Sequence, residues 1–201
     1  MGRGANRDVN QERVWVEQAR RGDMGAFTRL VESYQTPVYN MCYRMLGNAA
    51  EAEDAAQETF LRAYTRLHTY DPRRPFSTWL LSIASHYCID CLRRRRVTWV
   101  PLEDLGDGQW TSGSLPAPEE ALIQEEARDE VQRLIDRLPP PDRAVVVLRY
   151  WYDLSLREIA QVMGTTESAV KSRLFRARRA LAQAVRRGDC PYLQPAGGAI
   201  G

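Results

Sequence analysis

Apolar residues in this chain recur at helical spacing and nowhere alternate strictly with polar ones, so the elements they predict are helices. Phe27, Leu30, Val31 and Tyr34 fall at i, i+3, i+4 and i+7, with Asp23 placed to cap them, and Pro37 suits the first turn of a following helix. Asn48 and Glu51 form a capping-box pattern that opens a helix to about Tyr64. Ser77 or Thr78 would cap another, which runs into Arg93, Arg94, Arg95 and Arg96. Val131, Leu134, Ile135 and Leu138 keep the same period until Pro139, Pro140 and Pro141 block continuation. Ser155 with Glu158 repeats the capping-box pattern for a short helix to Met163. Gly164 can then take up the left-handed conformation, and Thr165 or Thr166 caps the next helix.

Gly, Pro, Ser and Asp cluster in GDGQWTSGSLPAP, Gly106 to Pro118, between the two sets of helices. The predicted fold class is therefore all-α: two small helical domains joined by a flexible linker, the C-terminal one containing a helix-turn-helix. The expected divisions are a partly flexible N-terminal segment over 1–22, a first domain over 23–97, the linker over 98–118 and a second domain over 119–187. A Gly- and Pro-rich tail over 188–201 is expected to be disordered.

Size agrees with this reading, because 201 residues with 44% hydrophobic content bury one ordinary core or two small ones. The net charge of +2 conceals segregation: residues 101–136 hold ten acids against two bases, and residues 168–187 hold seven bases and no acid. Such segregation implies partners of both signs. No apolar run of about eighteen residues exists to span a bilayer, and MGRGANRDVNQER lacks the apolar core of a signal peptide, so a cytoplasmic protein is expected.

With two histidines, one lysine and no HExxH, GxxxxGK[ST] or GxSxG, the usual catalytic constellations are missing. The expectation is a non-enzyme with no catalytic residue, cofactor or small-molecule substrate. His86, Cys88 and Cys91 form an HxCxxC string that admits three readings: zinc, a thiol switch, or buried apolar cysteines. On a helix Cys88 and Cys91 take the packing side while His86 lies roughly opposite Cys88, and a fourth ligand is missing, so no metal is expected.

Two helix faces carry the candidate chemistry. Around Gly164, Ile159, Ala160 and Met163 face inward from the first helix and Val170, Leu174, Ala177 and Leu181 form one stripe on the second, with the small Ala160 allowing close approach. Opposite that stripe lie Ser168, Ser172, Phe175, Arg176 and Arg179, flanked by Lys171, Arg173 and Arg178. An exposed basic helix is one reading; the agreement of caps, small residues and an acid-free face favours DNA. Ser172, Phe175 and Arg176 sit where base edges are met, and the later bases where phosphates are held. In NAAEAEDAAQETFLRAY, Asn48 to Tyr64, the inward face is Ala52, Ala56, Thr59, Phe60 and Ala63, and the outer face shows Glu51, Asp54, Gln57, Glu58 and Leu61. That outer face is either a solvated acidic surface or a dock for a basic partner.

The ordered set DAAQETFLRAY, YDPRRPFSTWLLSIA, IDCLRRRR, LPPPDRAVVVLRY and LSLREIAQVMGTTESAVKSRLFRARRAL resembles the bacterial sigma factors of the extracytoplasmic-function group over roughly Phe27 to Leu181. The resemblance implies that Asp54, Gln57, Glu58 and Leu61 dock on the clamp helices of the largest subunit of core RNA polymerase, and that the second domain meets the flap of the second-largest. It implies that the loop from His68 to Phe76 and the helix from Thr78 to Arg96 capture an unstacked −10 base and melt promoter DNA. The residues concerned are Phe76, Trp79, Ser82, His86, Asp90, Arg93 and Arg94, and family members often have Asn where His86 stands. Phe76 and Trp79 are the aromatics available to receive a base, or else ordinary core residues. The −35 element is expected to meet Ser168, Lys171, Ser172, Phe175, Arg176 and Arg179. Promoter DNA, core polymerase and an anti-sigma factor are the implied partners, with the protein on the nucleoid or held at the membrane by that anti-sigma factor. Two other readings stay open: a stand-alone helix-turn-helix regulator, and an interaction protein that titrates an anti-sigma factor.

Overall fold

The computed structural model describes residues 4–98 and 119–187, and no strand occurs among the described residues. The first unit comprises α1 (Gly4–Arg20), α2 (Met24–Leu46), α3 (Ala49–Arg66), a 3-10 turn (Leu67–Thr69) and α4 (Phe76–Thr98). The second comprises α5 (Glu119–Asp136), α6 (Pro140–Tyr150), α7 (Leu156–Met163) and α8 (Glu167–Arg186). The expected linker, apart from Thr98, and the tail at 188–201 lie outside the described residues.

α2 is the spine of the first unit, with α1, α3 and α4 packed on it. Asp23 caps it, its carboxylate accepting the Ala26 N–H at 3.0 Å. Pro37 does not open a new helix; it lies inside α2. The buried stripe of Phe27 and Leu30 continues through Val38, Met41, Cys42 and Met45, and covering it outweighs the one backbone hydrogen bond that proline forfeits. Residues 4–20 form a helix, which is anchored where Val16 and Ala19 are buried and Tyr34 of α2 donates its hydroxyl to Glu12.

α4 starts at Phe76, ahead of both predicted caps. Phe76 is 1% exposed and packed edge-on by Tyr34 and Tyr70, each with ring centroids 5.5 Å away. Asn48 caps α3 as its pattern predicts, accepting the Glu51 N–H at 3.0 Å, but the box stays half built because the Glu51 carboxylate pairs with Arg95 of α4. In the second unit the box at Ser155 and Glu158 is complete, Gly164 turns at φ 59°, and Thr166 caps α8. Pro139 is the N-cap of α6, where three prolines in succession cost least.

The two units share one apolar core. α4 packs against α6 and α7, and α2 against α5 and α6. Polar contacts stitch the same seam. Arg143, buried on α6, donates to the Met45 carbonyl of α2 and to the Asp136 carboxylate at 2.8 Å. Gln132 and Arg44 exchange hydrogen bonds at 3.1 and 3.2 Å, Arg44 lies 5.1 Å over the Trp151 ring, and Tyr152 donates to the Pro37 carbonyl. Gly47 closes α2 at φ 71°, and a Cβ there would stand 2.9 Å from the Asp136 carboxylate, so both conformation and space require glycine. Burial outweighs the neighbouring guanidinium at Asp136 and raises its pKa above the ordinary carboxylate value.

Candidate functional site

The acidic face of α3 is built as its pattern predicts. Ala52, Ala56, Thr59 and Ala63 are buried and Phe60 half-buried, which turns Asp54, Gln57 and Leu61 outward. Leu61 is 62% exposed, a large apolar side chain that the fold leaves without cover. Glu58 differs from its neighbours: it is half-buried and accepts from Arg62 at 2.7 Å, while the Arg62 guanidinium lies 4.6 Å over the Tyr87 ring. Beside this face runs a groove lined by Val31, Tyr39, Glu53, Ala56, Gln57 and Phe60, which the helical wheel of α3 alone does not reveal because α2 supplies half of it.

The second site lies on α4 and the loop before it. Asp71 accepts from the backbone N–H of Arg73 at 3.0 Å and from its guanidinium at 2.8 Å. Those hydrogen bonds lower the Asp71 pKa to about 2, so the loop keeps its pairing through the physiological range. The Tyr70 hydroxyl donates to the Arg74 carbonyl and closes the loop. Phe76 belongs to the core beneath it, so in this conformation it supports the site and offers no surface to a base. Trp79 remains half-exposed with its ring 5.3 Å from Tyr70 and 5.6 Å from Phe76. One turn further, Ser82 donates to the Trp79 carbonyl at 2.7 Å, and His86 Nδ1 lies 2.7 Å from the Ser82 carbonyl. A carbonyl can only accept, so Nδ1 carries a proton and donates it to Ser82, which leaves Nε2 as the ring nitrogen not engaged by that carbonyl. His86, Asp90, Arg93 and Arg94 are exposed, with Arg93 3.8 Å from Asp90.

The HxCxxC string does not converge. Cys88 is buried, and its thiol pKa is pushed up by hydrogen bonding with the Cys42 thiol and by burial, while His86 is on the exposed side. Cys91 accepts from Arg94 at 3.4 Å. Among the described residues no group of three or more His, Cys, Asp or Glu side chains is placed to hold a metal ion.

The third site is α8. Val170, Leu174 and Ala177 are buried and Leu181 half-buried, leaving Ser168, Lys171, Ser172, Phe175, Arg176 and Arg179 all exposed on the other side. Phe175 stands out at 68% exposure. On α7, Ile159, Ala160 and Val162 are buried while Met163 is only half-buried. Two flanking bases are held in place: Arg178 donates to the Tyr150 hydroxyl at 2.9 Å, and Arg173 to Asp142 at 3.2 Å. Arg176 also reaches Asp142, through Nη2 at 3.2 Å and Nε at 3.3 Å. Asp142 stands 34 residues from Arg176, beyond the range of any cap or period, so nothing in the local pattern announces it.

No described helix is long and apolar enough to cross a membrane. Residues 30–98 match the Sigma-70 region 2 family and residues 128–181 match Sigma-70, region 4. The chain is 38% identical over 177 residues to the ECF RNA polymerase sigma factor SigW of Bacillus subtilis (strain 168), covering 85% of this chain and 95% of that one. Against the ECF RNA polymerase sigma-E factor of Escherichia coli (strain K12) identity is 33% over 176 residues, with coverage of 85% and 92%. Among solved structures, CnrH in complex with the cytosolic domain of CnrY superposes with a TM-score of 0.65 at 26% identity, over 88% of this chain and 98% of that one. The sigma factor RpoE, solved with the anti-sigma factor NepR from Bartonella quintana, shares the fold with a TM-score of 0.59 at 18% identity, over 80% and 96%. With both sigma-70 regions in order and near-complete coverage of its relatives, the chain belongs to the extracytoplasmic-function sigma factors, the non-enzymatic initiation factors that direct bacterial RNA polymerase to promoters.

Proposed function

We propose that this chain docks on core polymerase through Asp54, Gln57, Glu58 and Leu61, opens the −10 region with the loop before α4 and with Trp79, Ser82, His86, Asp90, Arg93 and Arg94, and reads the −35 element with α8. The clamp helices of the largest subunit receive α3, and the flap of the second-largest receives the second unit. One observation carries the reading: all six predicted −35 residues share the exposed side of a capped helix, packed in a helix-turn-helix, that carries no acid beyond Glu167 in its first turn. Phe76 serves this reading from beneath, by holding the loop and Trp79.

The packed arrangement of the two units must open for this. Elements centred about 25 base pairs apart lie about 85 Å apart along B-form DNA, whereas a compact body of this length has a radius of gyration of about 16 Å. The stretch 99–118 can span up to about 70 Å when extended, which together with the widths of the units is enough. An anti-sigma factor is a further partner, as RpoE, which shares this fold, is solved with one. The protein is placed in the cytoplasm, on the nucleoid or held at the membrane through that partner.

Promoter-directed RNA synthesis with purified core polymerase tests the reading. The chain should confer defined start sites on promoter templates that core enzyme alone transcribes without them. Synthesis no different from that of core enzyme alone on genomic templates would overturn it.

A further inference from the structure

The side chain that grips the DNA-reading arginine is not itself on the DNA-reading face. Asp142 lies in the first turn of α6, is 5% exposed, and has its carboxylate between two guanidinium groups of α8. Oδ1 accepts from Arg173 Nη1 and Arg176 Nη2, each at 3.2 Å, and Oδ2 accepts from Arg176 Nε at 3.3 Å. A carboxylate this buried is tolerated only when paired and hydrogen-bonded, and here α8 supplies the pairing. Arg173 is the more enclosed partner and Arg176 the more exposed, at 31% and 57%.

The edge by which Arg176 is held decides what it can still do. A guanidinium has five N–H donors in a rigid plane. Asp142 takes the side edge, the Nε hydrogen and one Nη2 hydrogen, which leaves the end-on fork between Nη1 and Nη2 free. That fork matches the O6 and N7 acceptors of guanine in the major groove, the commonest base-specific arginine contact. An arginine free on its stem must give up its rotamer freedom when it binds, whereas one already fixed through its side edge has less to lose. Two guanidinium charges around one carboxylate also leave a net positive charge beside the phosphates.

We propose that Asp142 is a positioning residue for promoter recognition: it fixes Arg176 by its side edge so that the end-on fork selects guanine within the −35 element. The inference rests on the reading of α8 given above. Arg173 completes the arrangement by holding the same carboxylate from the other side.

The test uses the full chain bound to core polymerase and a set of promoter duplexes carrying each base at every −35 position. Arg176→Ala locates the position: discrimination for guanine should fall on the order of tenfold at one or two sites. Asp142→Asn, isosteric and neutral, should lose discrimination at the same position, leave affinity for scrambled duplexes within about twofold, and add nothing in the Arg176→Ala background. If Asp142→Asn does not reproduce the wild-type circular-dichroism signal, Asp142→Glu replaces it, with the same confined loss expected from the displaced carboxylate. In the wild-type chain, independent of any variant's folding, the Arg176 Nε–H resonance should be visible and slow to exchange at neutral pH. Its absence, unchanged guanine selection in a folded Asp142 variant, or an equal change on all duplexes would each overturn the proposal while leaving Arg176 as a reader. If Arg176→Ala itself leaves discrimination intact, the α8 reading fails and the role of Asp142 fails with it.

Discussion

α3 and α8 are built on one plan and charged in opposite senses. Each is a long helix capped by a side-chain oxygen, Asn48 or Thr166, with small and aliphatic residues along its buried stripe. On each the most exposed large apolar side chain, Leu61 or Phe175, is turned to solvent. What differs is the source of the partners that hold the charges. On α3 the half-buried acid Glu58 is met by Arg62 one turn along the same helix, whereas on α8 Arg173, Arg176 and Arg178 are met by Asp142 and Tyr150 from α6. On the acidic surface only Glu51, at the start of α3, is met from another helix, by Arg95 of α4, and salt weakens such exposed pairs. A basic helix buttressed from a second helix keeps its donors in fixed geometry, which base-edge recognition needs.

The largest effect is expected where the acidic face is inverted. Asp54→Arg combined with Leu61→Arg removes the exposed apolar contact, reverses the charge at Asp54 and puts a positive charge in place of Leu61, so association with core polymerase should be lost. Both positions are solvent-exposed, so the helical circular-dichroism signal should stay at the wild-type level. Co-elution of the double variant with core enzyme would show that α3 is a solvated acidic helix and that the comparison with α8 has no functional content.

Next in size is the seam that holds both faces on one body. A chain carrying an engineered protease site within 106–118 should, once cut, still migrate as one species, because the units share a core and Arg143 donates across the seam to the Met45 carbonyl. Arg143→Ala removes the donor shared by the Met45 carbonyl and Asp136, a loss of about 1–3 kcal/mol, and the cut halves should then separate on gel filtration. Wild-type halves that separate after cutting would mean that the seam does not hold in solution.

What the sequence made readable here was local. Asp23, Asn48, Ser155, Thr166 and Gly164 all act at the helix ends where their types predict, and the faces of α3 and α8 follow from period alone. What it hid depends on distant partners. Pro37 reads as a helix start, yet the stripe buried on either side of it keeps α2 continuous. Phe76 reads either as a surface for a flipped base or as a core aromatic, and the rings contributed by α2 and by the loop that enclose it decide for the core. Glu51 reads as half of a capping box, yet Arg95 takes its carboxylate. Asp142 lies in the first turn of α6, where an acid favours the helix dipole, and its grip on α8 is visible only in three dimensions.

A moderate effect separates two kinds of contact within α8. Arg179→Ala, if Arg179 neutralises a phosphate, should weaken binding to matched and scrambled DNA alike and flatten the slope of log affinity against log salt by roughly 0.9. Arg176→Ala should cost about 1–3 kcal/mol on the matched −35 element and little on scrambled DNA. Equal losses on both duplexes for Arg176→Ala would reduce α8 to a phosphate-binding surface, the basic counterpart of an unspecific acidic face.

The smallest effect compares the two capping patterns themselves. Asn48 with Glu51 and Ser155 with Glu158 look alike in sequence, but only the second closes, with Glu158 accepting from the Ser155 N–H at 2.8 Å and from its hydroxyl at 2.6 Å. Those hydrogen bonds hold the Glu158 pKa below the ordinary carboxylate value. A depressed carboxylate contributes stability that is present above its unfolded pKa, about 4.3, and that is lost as pH falls through its folded value. Glu158→Ala should therefore lower stability by about 0.5–1 kcal/mol at pH 7, and its deficit relative to wild type should shrink in denaturant titrations carried below pH 4. A deficit that stays constant into acid would assign the loss to the missing methylenes on α7 and not to the carboxylate, and the two capping patterns would then differ in geometry without differing in electrostatics.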